Sequence, residues 1–124
     1  MRRPTNRDET PPLTPVEFHV LLSLTDRRRH GYAIIQEVRE RTGGQVHVRT
    51  GTLYTVIKRM LDCGWVSEAA SPAAETDARR RYYALTAAGR DALRVEAQRM
   101  ESLVELAHGK RVLGRRRFSP ERSR

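Results

Sequence analysis

The residues best placed to do chemistry in this sequence are cations and hydroxyls. Thr52, Thr55, Lys58, Arg59 and Asp62 stand at helical spacing opposite Leu53, Val56, Ile57, Met60 and Leu61. Thr50 stands at the head of that segment, and Tyr54 lies one residue off its apolar stripe. Threonine hydroxyls and cations on one helical face can donate to phosphate oxygens and to base edges. A helix of this kind fits a DNA major groove about 12 Å wide. The same periodicity equally describes an ordinary surface helix, since each of those has a polar face. A second cluster, Arg79, Arg80 and Arg81 beside Tyr82 and Tyr83, can neutralise phosphates beside a groove or simply guard an edge strand with charge. Glu75 and Asp77 precede it and would be repelled by a polyanion. Contact is therefore expected from the stem of this segment and not from its tip.

Other chemistries find no support. His19, His30, His47 and His108 have no metal-ligand spacing among them, and Cys63 has no cysteine partner. Cys63 reads as a small, half-buried residue at a helix end. No phosphate-binding glycine loop, dinucleotide fingerprint or nucleophile elbow is present. The expectation is a non-enzyme with no metal and no cofactor.

Charge is unevenly distributed. The 124 residues carry a formal net charge of +9. Residues 110–124 hold Lys110 and six arginines against Glu121, a net +6. Residues 13–109 carry only +2. A high isoelectric point is thus weak support for a DNA-binding core. No apolar run reaches the ~20 residues a membrane span needs, and residues 1–12 lack the apolar region of an export signal. A cytoplasmic protein is expected.

The elements that must position these side chains can be read in order. Residues 1–12 are a polar arm expected to be disordered. Thr14, Pro15 and Glu17 form an N-cap, a first-turn proline and a capping box, with Leu13 and Phe18 as a staple. They predict a helix over 14–25 with Val16, Val20, Leu21 and Leu24 on its core face. Residues 26–29 read as a charged turn. A second helix over 31–41 presents Tyr32, Ile34, Ile35 and Val38, and Gly43-Gly44 stops it. Residues 45–49 alternate as a short strand with Val46 and Val48 on one face. The third helix is capped by Thr50 or Thr52 and ended by Gly64. Strands at 65–69 and 80–85 flank a flexible tip, with Tyr83 and Leu85 facing the core. A last helix runs from Thr86 to about His108, and Leu93, Ala97, Met100, Val104 and Ala107 repeat in it at the 3.5-residue period of a helix that packs lengthwise on a partner. At about 35 Å it is longer than a small domain can cover, so the partner is most simply a second copy. The fold class is mainly α with a small β-hairpin wing: a winged helix-turn-helix over 13–86 and a dimerisation helix over 87–109. Residues 110–124 form a basic tail expected to be disordered. Trp65 is a core or interface ring and the candidate for an apolar effector pocket.

Leu13-Thr14-Pro15 with Phe18, His30-Gly31-Tyr32, Gly51-Thr52-Leu53-Tyr54, Lys58-Arg59-Met60-Leu61, Arg80 to Thr86 and Gly89-Arg90 occur in that order. Together they resemble the PadR family of transcriptional regulators, over about 13–109. The resemblance implies a homodimer, mostly a repressor, on palindromic operator DNA, often released by a small effector. It places the recognition helix at about 50–63, with Tyr54 on the DNA-facing side, and it matches the compact branch with one C-terminal helix. Arg49-Thr50 departs from the family's usual proline-containing approach to this helix. The rival readings are a winged-helix module that binds protein, and a ligand-sensing dimer that does not bind an operator directly.

Overall fold

The computed structural model describes residues 12–114. Nearly all of the arm at 1–12 and most of the basic tail lie outside that range. The elements are α1 (Pro15–Leu22), β1 (Arg29–His30), α2 (Gly31–Arg41), α3 (Thr50–Asp62), β2 (Val66–Ala69), β3 (Tyr82–Leu85) and α4 (Ala87–Gly109).

The start of α1 follows from its residues. Glu17 N–H donates to Thr14 Oγ1 at 3.2 Å, and Thr14 N–H donates to Glu17 Oε1 at 3.0 Å, so two backbone donors at the helix start find acceptors. The helix ends at Leu22, three residues before the sequence expectation. The hydroxyls of Ser23 and Thr25 donate to the carbonyls of Val20 and Leu22, and such local bonds compete with helical continuation. Leu24 is still buried, from a turn.

The charged segment before α2 is not only a turn. Arg29 and His30 form β1, which pairs antiparallel with Tyr83 and Tyr82 of β3. The sheet is therefore three-stranded, in the order β1-β3-β2, where the sequence pattern gave only a hairpin. A two-residue strand is too short to show alternation. Arg29 is fixed there by Nε donating to Ser23 O at 2.7 Å. Conversely, residues 45–49 form no strand. Val48 is buried and Val46 packs against the core, but the segment is held by Thr42, whose Oγ1 accepts from Val46 N–H. Gly43 and Gly44 take positive φ angles of 62° and 84° at the exit of α2, where other residues are strained.

The capping of α3 also differs from expectation. Thr50 is already helical, and the N-cap is Arg49, in extended conformation with no side-chain cap bond. Val20, Leu21, Ile34, Val38, Leu53, Ile57 and Met60 are the core where the three helices meet. In β3, Tyr83 is buried and Leu85 packs on the core, as alternation predicts; Tyr82 is buried too, against His30 at 5.3 Å, edge to face. Cys63 is exposed and not half-buried.

Thr86 caps α4 by accepting from Gly89 N–H at 3.0 Å. Gly89 lies against the Trp65 carbonyl so closely that a Cβ would stand 2.0 Å from its oxygen. Leu93 enters the core of its own chain. Buried Glu96 accepts from Leu13 N–H at 3.0 Å and pairs with Arg99, which pins the entry to α1 onto α4. Beyond Glu96 the helix runs on, and Met100, Leu103, Val104 and Leu106 are exposed.

Candidate nucleic-acid interface

The outward side of α3 is set by its core side. With Leu53, Val56, Ile57 and Met60 buried, Gly51, Thr55, Lys58 and Asp62 follow one another along the exposed face at spacings of four, three and four residues. Thr50, Thr52 and Tyr54 are also exposed, at the first turns. Thr55 Oγ1 donates to Gly51 O. Lys58 meets Asp62 at 3.6 Å with both side chains well exposed, a pairing worth well under about 1 kcal/mol, which leaves the ammonium available.

Arg59 is placed differently. Its Nη1 is 2.8 Å from Glu17 Oε2 of α1, and its guanidinium lies over the Trp65 ring, 5.7 Å from the centroid. It neutralises a carboxylate that the capping box has drawn into the core.

The three wing arginines lie just before β3, and each has an acidic neighbour. Arg79 meets Asp77 at 3.3 Å, Arg80 meets Glu75 at 3.4 Å and Asp77 at 4.0 Å, and Arg81 meets Glu68 at 3.4 Å. The tip is therefore folded back onto its stem. Glu75 is the clasp: Tyr82 O–H donates to its carboxylate, as does Asp77 N–H at 2.7 Å. The Tyr82 hydrogen bond first, then the Asp77 amide and Arg80, hold the Glu75 carboxyl down to about 2. The same bond raises the Tyr82 hydroxyl above its ordinary value.

Wing and helices meet around a cavity of about 500 Å³. Arg79, Arg80 and Arg81 line one side of it, and Tyr54, His30 and Tyr32 line the helical side. Gly31 makes the approach of Tyr54 feasible, because a Cβ there would stand 2.6 Å from the Tyr54 hydroxyl oxygen. The fold thus brings Tyr54 together with the wing arginines, sets Thr50, Thr52, Thr55 and Lys58 beside them along α3, and turns Arg59 toward α1. Trp65 lines neither this cavity nor a smaller one of about 140 Å³ between α2 and residues 47–50. Sequence patterning missed His30, which caps α2 by accepting from Ala33 N–H. Histidine is outside the usual set of capping residues, so no pattern marked it.

The five apolar positions that the 3.5-residue repeat predicts for a partner helix divide. Leu93 packs within its own chain, a correction to its place in a dimer seam: the first half of that face is covered by α1. Ala97, Met100 and Val104 are exposed and Ala107 is half-buried. Among the described residues, no group of His, Cys, Asp and Glu side chains is arranged to hold a metal, and no helix is long and apolar enough to cross a membrane.

Three core helices, a three-stranded antiparallel sheet ending in a long hairpin, and a polar helix face beside that hairpin define a winged helix-turn-helix protein. The sequence profile described as the transcriptional regulator PadR-like family matches residues 20–95. The chain belongs to that family of transcriptional regulators. Its fold superimposes on a PadR family transcription regulator from hypervirulent Clostridium difficile with a TM-score of 0.67, at 26% identity, over 77% of this chain and 97% of that one. A transcriptional regulator from Clostridium thermocellum shares the fold, with a TM-score of 0.66 at 21% identity over 76% of this chain and 87% of that one. Uncharacterized protein X of Lysinibacillus sphaericus is 32% identical over 71 residues, 57% of this chain and 64% of that protein.

Proposed function

We propose that the chain is a homodimeric, sequence-specific DNA-binding repressor. The observation that carries this is the continuous donor surface in which the exposed face of α3 runs into the arginine-lined cleft of the wing. Thr50, Thr52, Thr55 and Lys58 supply hydrogen bonds and charge along the groove. Tyr54 and Arg79 to Arg81 meet the flanking backbone. Arg59 stands apart from that surface, committed to Glu17 of α1.

The second copy is supported by α4. Its outer half carries Leu103 at 65% and Leu106 at 55% exposure, together with Met100 and Val104. These large apolar side chains on one free helix are covered most simply by the same helix of another copy. Two recognition helices would then enter successive major grooves about 34–36 Å apart. Release by a small apolar effector is the finest part of the proposal. Its reporter is Trp65, at the junction of α3 and α4, whose fluorescence an apolar ligand bound there would quench.

Alanine at Lys58 tests the assignment. If Lys58 meets phosphate, Lys58→Ala weakens all duplexes alike and lowers the salt slope by about one. A loss confined to one duplex sequence would contradict a phosphate role and point to base reading.

A further inference from the structure

The cleft between the start of α2 and the wing contains two donors aimed at one another. His30 Nδ1 accepts Ala33 N–H at 3.1 Å. A neutral imidazole has one acceptor nitrogen and one donor, so the proton sits on Nε2. Nε2 lies 3.3 Å from Nη1 of Arg80, which is also a donor. If the other tautomer formed, Nε2 could accept from Arg80, but Ala33 N–H would lose its partner. The two bonds exclude each other.

Both donors line the 500 Å³ cavity, with Arg79, Arg81, Tyr54 and the amino end of α2 around it. That is a cluster of donors with room for a tetrahedral anion, its positive charge offset in part by Asp77 on the same wall and by Glu75 beside Arg80. Arg80 is also weakly committed elsewhere. Its contacts with Glu75 and Asp77 are 3.4 and 4.0 Å long, whereas Glu75 has closer partners in Tyr82 O–H and Asp77 N–H. Arg80 can leave without stranding Glu75.

We infer that this cleft seats one phosphate group, held by His30 Nε2–H and the Arg80 guanidinium, with Asp77 as the carboxylate that the phosphate displaces from Arg79 and Arg80. The phosphate resolves the opposition by accepting from both donors while His30 keeps its cap on α2. Its source is the duplex backbone, a point that rests on the function proposed above; the seat itself does not. The charged groups facing His30 are Arg80, Glu75 and Asp77, with Arg79 and Arg81 on the cavity wall. Tyr82 from β3 packs edge-to-face on its ring, and Tyr32 from α2 and Tyr54 from α3 line the same cleft. Burial first, and then Arg80, hold the free imidazole below its ordinary value. A bound anion pushes it back up.

The test follows the His30 ring by long-range proton–nitrogen NMR in the whole chain, across pH 5 to 8. Inorganic phosphate is added first, then a 20-base-pair duplex of arbitrary sequence. Inorganic phosphate should raise the His30 midpoint by about one unit, and the duplex should do the same. His30→Asn keeps a capping acceptor, and its shorter amide carries no N–H to the position of Nε2. It should fold with unchanged helicity and weaken the phosphate response of the Gly31 and Ala33 amides about tenfold. A His30 midpoint indifferent to phosphate overturns the seat. A response to phosphate but not to duplex overturns the DNA backbone as its source and leaves a site for a free phosphorylated molecule. Should sequence-specific binding fail while His30 still answers to both additions, the function proposed above falls and the seat stands.

Discussion

Arg59 and Lys58 are adjacent cations with different work. Lys58 stands in solvent, while Arg59 neutralises Glu17. Arg59→Ala leaves a nearly buried carboxylate without its cation. Because the guanidinium is itself 43% exposed, the loss should be modest, about 1–2 kcal/mol. Urea unfolding at fixed protein concentration measures it. The folded Arg59→Ala protein should bind duplex nearly as well as wild type, whereas Lys58→Ala should be as stable as wild type and bind less well. Sequence spacing gave both residues to the polar face, because a wheel cannot tell that α1 would bring a carboxylate to one edge of it.

The acidic wing tip makes a prediction in pH. Glu75 is held at about 2, below its unperturbed 4.5. A carboxyl depressed on folding adds stability that is complete above its unfolded value and is lost as pH falls through the folded one. The clasp should therefore weaken between about pH 4.5 and 2, seen as faster proteolysis or amide exchange at residues 75–81. Glu75→Gln should show that looser wing already at pH 7, with little further change on acidification.

At the scale of the element, close approaches decide more than propensity. Gly31→Ala would push a methyl against the Tyr54 hydroxyl, so Tyr54 must swing from the cleft. Duplex affinity should fall more than stability does. Gly89→Ala meets backbone, the Trp65 carbonyl, which cannot rotate away. It should cost about 3 kcal/mol and shift Trp65 fluorescence. Neither glycine has a positive φ, so no turn signal marked them; they are needed for tertiary contacts that a linear pattern does not contain. The same limit explains the two misread segments. The helices, β2 and β3 repeat often enough to be legible in apolar spacing and caps. β1 has two residues and exists because Tyr82 and Tyr83 pair with it, and the 45–49 loop alternates because two valines turn inward without a strand partner.

At the scale of the whole molecule, one face of α4 is covered by its own chain at Leu93 and exposed beyond it. Leu93 closes its own core, and Met100, Leu103 and Val104 continue outward. Leu93→Ala should lower stability by about 2–4 kcal/mol. Leu103→Asp should leave the winged domain folded by circular dichroism and shift sedimentation from dimer to monomer. A Leu103→Asp protein that still sediments as a dimer would remove α4 from that role. The 3.5-residue repeat is visible in the sequence; where its cover by the same chain stops is not, since that depends on how far α1 reaches.

The most direct test of the molecule as a DNA-reading regulator is fluorescence anisotropy at about 0.15 M salt, where non-specific binding is only about 10⁻⁴–10⁻⁶ M. The full chain is titrated onto the duplex upstream of its own gene and onto a scrambled duplex of equal length. Tight binding to the first and weak binding to the second, with the difference reduced by substitutions at Thr52 and Thr55, is the expected result. Equal, weak binding to both duplexes, unchanged by those substitutions, would contradict it.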